Sequence, residues 1–211
     1  MAALWQAFNS NWGNLLTALE QHIFLSLVSV VVACVISIPI GVYITRNKTA
    51  ATIILAIVSV IQTIPSLALL GFMIPIFGIG SLPALIALTL YALLPVVRNT
   101  YTGIMDVDQS LIEAGRGMGM TRSQILLKVE LPLARNVIMA GIRTATVLTI
   151  GVATLATFIG AGGLGDLIMR GVDMIDTPLI LVGAIPAALL AIIFDALLGW
   201  IDKSLTPRGL R

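Results

Sequence analysis

Two ionisable side chains stand inside otherwise apolar stretches: Arg143 in "MAGIRTATVLTI" and Asp195 in "AIIFDALLGW". A charge at membrane depth is costly, and by default it marks a functional contact or a partner. Both lie toward the inner half of their segments, so an ion pair between helices, a substrate contact and a contact to another subunit are all open. No nucleophile–base pair accompanies them, so no catalytic residue is assigned. The chain has no Gly-x-x-x-x-Gly-Lys-Ser/Thr loop to hold a nucleoside triphosphate. Cys34 is the single cysteine, which excludes an intramolecular disulfide and a cysteine metal site. His22 has no ligand-type neighbour in sequence and reads as an interfacial residue at a helix start; no metal site is expected.

A second group of residues breaks regular structure. "GAGGLG" (160–165) is too rich in glycine for a helix and suggests a re-entrant scoop or part of a gate, with Gly162 and Gly163 at its centre. Gly151, with Ala153, Thr154, Ala156 and Thr157, would let another helix approach closely. Pro65 should kink its helix, and Pro39, Pro83, Pro95 and Pro186 should act similarly. Pro65, Gly151, Thr154, Phe158, Gly162 and Gly163 are therefore candidates for a translocation path or gate. Aromatic residues are scattered (Phe72, Phe77, Tyr91, Phe158, Phe194), which argues against a high-affinity aromatic cage for a cation.

The elements that position these residues follow from composition. The chain is 58% hydrophobic and 10% charged, with mean hydropathy +1.06, against about 25% charge in soluble domains. That is an integral membrane protein, and a net charge of +2 gives no footprint for nucleic acid. Five stretches approach the ~20 residues a spanning helix needs: 23–45, 51–77, 82–97, 137–159 and 179–201. Ten of the twelve lysines and arginines fall in alternate loops, which places the 98–136 loop and the C-terminus in the cytoplasm and the N-terminus outside. Residues 1–22 put Trp5, Phe8, Trp12, Leu15 and Leu19 on one face, as an amphipathic helix on the outer surface would. The organisation is thus an interfacial helix (1–22), a five-helix domain (23–201) containing the 98–136 loop, and a tail (202–211). No internal repeat is visible, so a second subunit would complete any pathway. No signal peptide is expected.

The 98–136 loop is longer than the ~12–15 residues at which loops become functional or disordered. It carries "EAGRGMGMTRSQILLKVELP" (113–132). Asp108 or Ser110 can cap a first helix, Ser110 with Glu113 and Thr121 with Gln124 have capping-box spacing, and glycines separate the two helices. Pro132 should end the second helix. A DNA-binding helix–turn–helix is disfavoured by the short segment and its mixed charge.

This segment resembles the "EAA" loop of the membrane subunits of ABC importers. That pattern is Glu-Ala-Ala, three residues, Gly, nine residues, an aliphatic, one residue, Leu-Pro. Glu113 and Ala114 match, Gly115 replaces the second alanine, Gly119 matches, Val129 replaces the usual isoleucine, and Leu131-Pro132 closes it. The stretches "IQTIPSLALLGFMIPIFGIG", "LYALLPVVRNTYTGI" and "MAGIRTATVLTIGVATLATFIGAGGLGDLI" resemble osmoprotectant-importer permeases; the last also resembles methionine-importer permeases. The resemblance implies an all-α membrane protein with the five-span core of type I importers. It implies import of glycine betaine, carnitine, choline and related solutes in a bacterial cytoplasmic membrane. The implied partners are a cytoplasmic ATPase dimer that binds ATP and Mg, a second permease subunit (identical or paralogous), an extracellular substrate-binding protein and the lipid bilayer. Glu113, Ala114, Gly115, Gly119, Ile125, Val129, Leu131 and Pro132 would form the ATPase-coupling loop. Gly119 would make a close turn where a side chain would clash. Glu113 would meet a basic ATPase residue or cap the loop, and Ile125, Leu126 and Val129 would fill the ATPase groove or pack back on the bundle. The alternatives are a permease for another solute such as methionine, or, from a different class, an ATP-independent channel or scaffold.

Overall fold

The structure is a computed structural model and describes residues 2–205. The tail expected over 202–211 lies largely outside these residues. Helix α1 (Ala2–Ser10) leads into α2 (Trp12–Ile44), which runs unbroken through residue 22. The boundary expected there falls inside one helix. Phe8, Leu15 and Leu19 pack against Leu164, Leu167, Leu179 and Val182, while Trp5 and Trp12 stay exposed. The expected single face is thus divided: Phe8, Leu15 and Leu19 belong to the protein core and the two tryptophans do not.

The second span breaks rather than kinks. α3 (Lys48–Thr63) and α4 (Ser66–Phe77) meet at 97° across Ile64 and Pro65. A proline excludes helical geometry from the residue before it, and Ile64 is extended at φ −66°, ψ 128°. The Tyr91 hydroxyl donates to the freed Ile64 carbonyl. α5 (Ser81–Met105) extends well past the expected end at Val97, so Arg98 is helical. Pro83 falls in its first turn, where no hydrogen bond is lost and no kink is required. Pro39, Pro95 and Pro186 sit inside unbroken helices.

α6 (Gln109–Gly117) and α7 (Arg122–Ile125) form the projecting loop. α7 passes through a π-helical turn (Leu126–Glu130) directly into α8 (Leu131–Ala153). Pro132 therefore does not end the helix. Its ring would clash with the carbonyl four residues back; the wider turn, in which Leu131 N–H reaches Leu126 O, relieves this. A 3₁₀ segment (Thr154–Ile159), the glycine scoop, α9 (Gly165–Asp173) and α10 (Thr177–Leu205) complete the described chain. Among the described residues four helices are long and apolar enough to span a bilayer, and the bent α3–α4 pair is a fifth if taken as one.

α5 is the central helix, held between α2 and α8 with α3 and α4 alongside. Small residues permit this. A Cβ on Gly41 would stand 2.6 Å from Thr100, and one on Gly141 2.8 Å from the Pro95 carbonyl. Ser29 and Ser37 donate to the Leu85 and Leu93 carbonyls of α5. Gly151, expected to mediate such an approach, is exposed with open space around it, and Gly141 and Ala145 do that work instead.

Candidate functional site

The projecting loop is built by local signals. The Asp108 side chain caps α6 by accepting the Ser110 N–H at 2.9 Å. That bond and the Ser110 hydroxyl hold the Asp108 carboxyl below its ordinary range. Ser110 is therefore not the cap, and Glu113 is exposed, with no ion pair among the described residues. At the end of α6, Gly119 N–H donates to Arg116 O at 2.9 Å and Met120 N–H to Gly115 O at 3.1 Å, the Schellman pattern. Gly119 has φ +80° and open space where a side chain would point. Within this chain the glycine is required by its backbone angle, not by a clash. Thr121 and Gln124 then complete the reciprocal box at 3.3 and 2.8 Å.

Ile125 is buried with Val107 and Ile112, and Val129, Met120 and Leu133 pack against them. Ile125 and Val129 thus hold the loop together rather than face outward. Gly115 sits against this cluster, 3.3 Å from Met120 Sδ at the Cβ position. The outward surface carries Glu113, Ala114, Gly119 and Pro132 together with Leu111, Met118 and Leu127, which sequence reasoning missed; Leu131 is half-buried. Glu130 was missed as well. Its side chain is 3% exposed and pairs with Arg46 at 2.5 Å. With Arg116 and Arg122 the pair lines a notch of about 270 Å³ beneath α6.

At the opposite end, the scoop is pinned to α2. Gly163 N–H donates to Gln21 Oε1 at 3.0 Å and Leu164 N–H to His22 Nδ1 at 3.3 Å. His22 Nε2 lies 3.0 Å from the Ile150 carbonyl. His22 is fully buried, so it is a structural clamp and not the interfacial residue expected. Gly162 and Gly163 have φ +77° and +95° and are seated against Gln21 and His22. Neither lines an open path within this chain. Gly151, Thr154 and Phe158 do share a surface: with Ala140, Thr144, Val147 and Leu148 they recur at helical spacing along one face of α8 and its 3₁₀ end. Pro65 lies apart from them, at the α3–α4 bend.

Arg143 and Asp195 meet as a fork: Nε donates to Oδ1 and Nη2 to Oδ2, each at 2.9 Å. Their side chains are 36% and 40% exposed and border a groove of about 460 Å³ between α8 and α10.

Residues 37–207 match the family described as "Binding-protein-dependent transport system inner membrane component". The chain belongs to this family. The permease is 48% identical to the carnitine transport permease protein OpuCB of Listeria monocytogenes, over 100% of this chain and 97% of that protein. It is 48% identical to the choline transport system permease protein OpuBB of Bacillus subtilis, over 98% and 95%. Among solved structures it superposes on an inward-facing MetNI methionine ABC transporter chain with TM-score 0.77 at 27% identity, covering 93% and 96%. The permease thus has the all-α fold of type I importer membrane subunits, as the family resemblance implied. The Thr121–Gln124 box and the Gly119 turn were legible because each is local. Glu130 carried no signal, because its partner lies 84 residues away.

Proposed function

We propose that this chain is the membrane-spanning subunit of an ATP-driven importer for quaternary ammonium compatible solutes such as glycine betaine, carnitine and choline. It forms the translocation path and leaves ATP hydrolysis to a cytoplasmic ATPase dimer, which binds the ATP and Mg. A second permease subunit and an extracellular substrate-binding protein complete the machine. The projecting 98–136 loop and the C-terminus face the cytoplasm, and the N-terminus faces outward. The projection carries the mechanistic part of this reading: a rigid, doubly capped helix–turn–helix continuous with α8. A rigid element of this kind passes motion of a bound ATPase to the membrane helices without absorbing it in a loop. The substrate class is supported by the near-half identity to permeases named for carnitine and choline. A methionine importer stands second, on the 27% identity to MetNI.

The test is ATP hydrolysis by the reconstituted complex with its receptor, with and without glycine betaine, for wild type, Gly119→Val and Gly119→Asn. Non-glycine residues in the left-handed region cost about 1–2 kcal/mol, least for Asn. Receptor- and betaine-stimulated hydrolysis should fall severalfold in Gly119→Val and persist largely in Gly119→Asn. Equal stimulation in all three would misplace the coupling surface. A response to methionine and not to betaine would replace the substrate class.

A further inference from the structure

Arg143 and Asp195 lie inside the apolar lengths of α8 and α10. Asp195 is seven residues, roughly 10 Å, from Asp202, which belongs to the charged end of the bundle with Arg135. On the other side, α10 continues about 27 Å to its start at Thr177. A charge pair at this depth faces protein or water, because hydrocarbon cannot solvate it. Here the pair is more than a third exposed and borders an open groove. The groove's about 460 Å³ is in the range of small-molecule sites.

The pair is also unsaturated. A guanidinium has five N–H donors, and Asp195 takes one from Nε and one from Nη2. No described residue accepts from the remaining three. Gly199 explains the guanidinium's placement on α10: a Cβ there would stand 3.2 Å from Cζ. The exposed Thr144 hydroxyl borders the same groove. The site is neutral overall yet presents a fixed positive and a fixed negative group side by side.

We propose that this pair is a transit site for zwitterionic substrate. The substrate's carboxylate binds the free Nη edge of Arg143, and its trimethylammonium group lies against the Asp195 carboxylate, head to tail. A zwitterion is the electrostatic complement of such a pair; a bare cation engages only half of it. A neutral, partly exposed pair also binds weakly enough to release, which a transit site requires. This rests on the substrate reading above and adds that this chain itself discriminates between solutes.

The experiment is uptake of carnitine, a zwitterion, and choline, a cation, into proteoliposomes holding the complete importer with saturating receptor. Arg143→Gln should lower the carnitine-to-choline uptake ratio at least tenfold. Arg143→Lys, which keeps the charge and loses the fork, should lower it by a smaller factor and keeps the test open if the first variant assembles poorly. Asp195→Asn should slow both solutes. A ratio unchanged in both arginine variants would overturn the proposal. Wild-type importer that carries neither solute would overturn the substrate reading and this inference with it. Wild-type uptake that every variant slows equally would overturn the inference alone.

Discussion

His22 shows how much one buried side chain decides. Its Nδ1 receives the Leu164 N–H, so the ring proton sits on Nε2 and donates to the Ile150 carbonyl. One neutral imidazole therefore satisfies two backbone groups, 128 and 142 residues away, and ties α2 to α8 and to the scoop. Nothing near position 22 in the sequence signals this, because the partners are backbone atoms whose identity carries no pattern. Replacing His22 with Leu leaves a buried carbonyl and a buried N–H unpaired, each costing about 1–3 kcal/mol. The thermal midpoint of the purified complex should fall by several degrees in His22→Leu and by less in His22→Gln, whose amide can serve one of the two groups. Proteolysis or hydrogen exchange should locate the loosening at residues 160–165. A midpoint unchanged in His22→Leu would contradict the clamp.

Helix positions were legible where the cause is local, and their relations were not. The Thr121–Gln124 box and the presence of an irregularity at Pro65 follow from neighbouring residues. The 97° between α3 and α4 does not, because it depends on how α4 packs against the 3₁₀ segment of a distant span. Pro132 was misread for a related reason: a proline normally ends a helix, but a π turn just before it lets α7 and α8 run as one. That same turn presents Glu130 to Arg46, just beyond the end of α2, and so joins the projecting loop to the first span. Arg46 is half in solvent, so the pair gains little Coulomb energy, yet Glu130 is almost wholly buried. Arg46→Met should therefore destabilise the complex by about 1–3 kcal/mol, mostly by orphaning the carboxylate. Adding Glu130→Leu should recover most of that loss, since removing both partners of a buried pair is often near neutral. A thermal double-mutant cycle reads this directly, and additive effects would mean that the two groups are not coupled.

The single chain leaves much of its spanning surface uncovered. Only 28% of the most apolar window of α10 and 33% of that of α2 are buried within it. Exposed Val31 and Val35 on α2 or Ile57 and Val60 on α3 can face acyl chains without cost. The face of α8 that carries Thr144, Gly151 and Thr154 beside Arg143 and Asp195 cannot do so equally well. The five-span pattern and the lack of a repeat already implied an incomplete pathway. Which face is incomplete became visible only when α10 brought Asp195 to Arg143. Water on that face can be measured with thiols, because alkylation proceeds through the thiolate and needs an aqueous environment. With Cys34 replaced by Ala, Thr144→Cys in the reconstituted importer should react with a charged, water-soluble thiol reagent at least tenfold faster than Val35→Cys, which is 68% exposed in the single chain. If the path proposed above runs along this face, ATP and receptor should change the rate at Thr144→Cys and should leave Val35→Cys slow throughout. Equally slow reaction at both positions would assign the α8 face to a dry protein contact, such as one with the proposed second permease subunit, and the pathway would then have to run elsewhere.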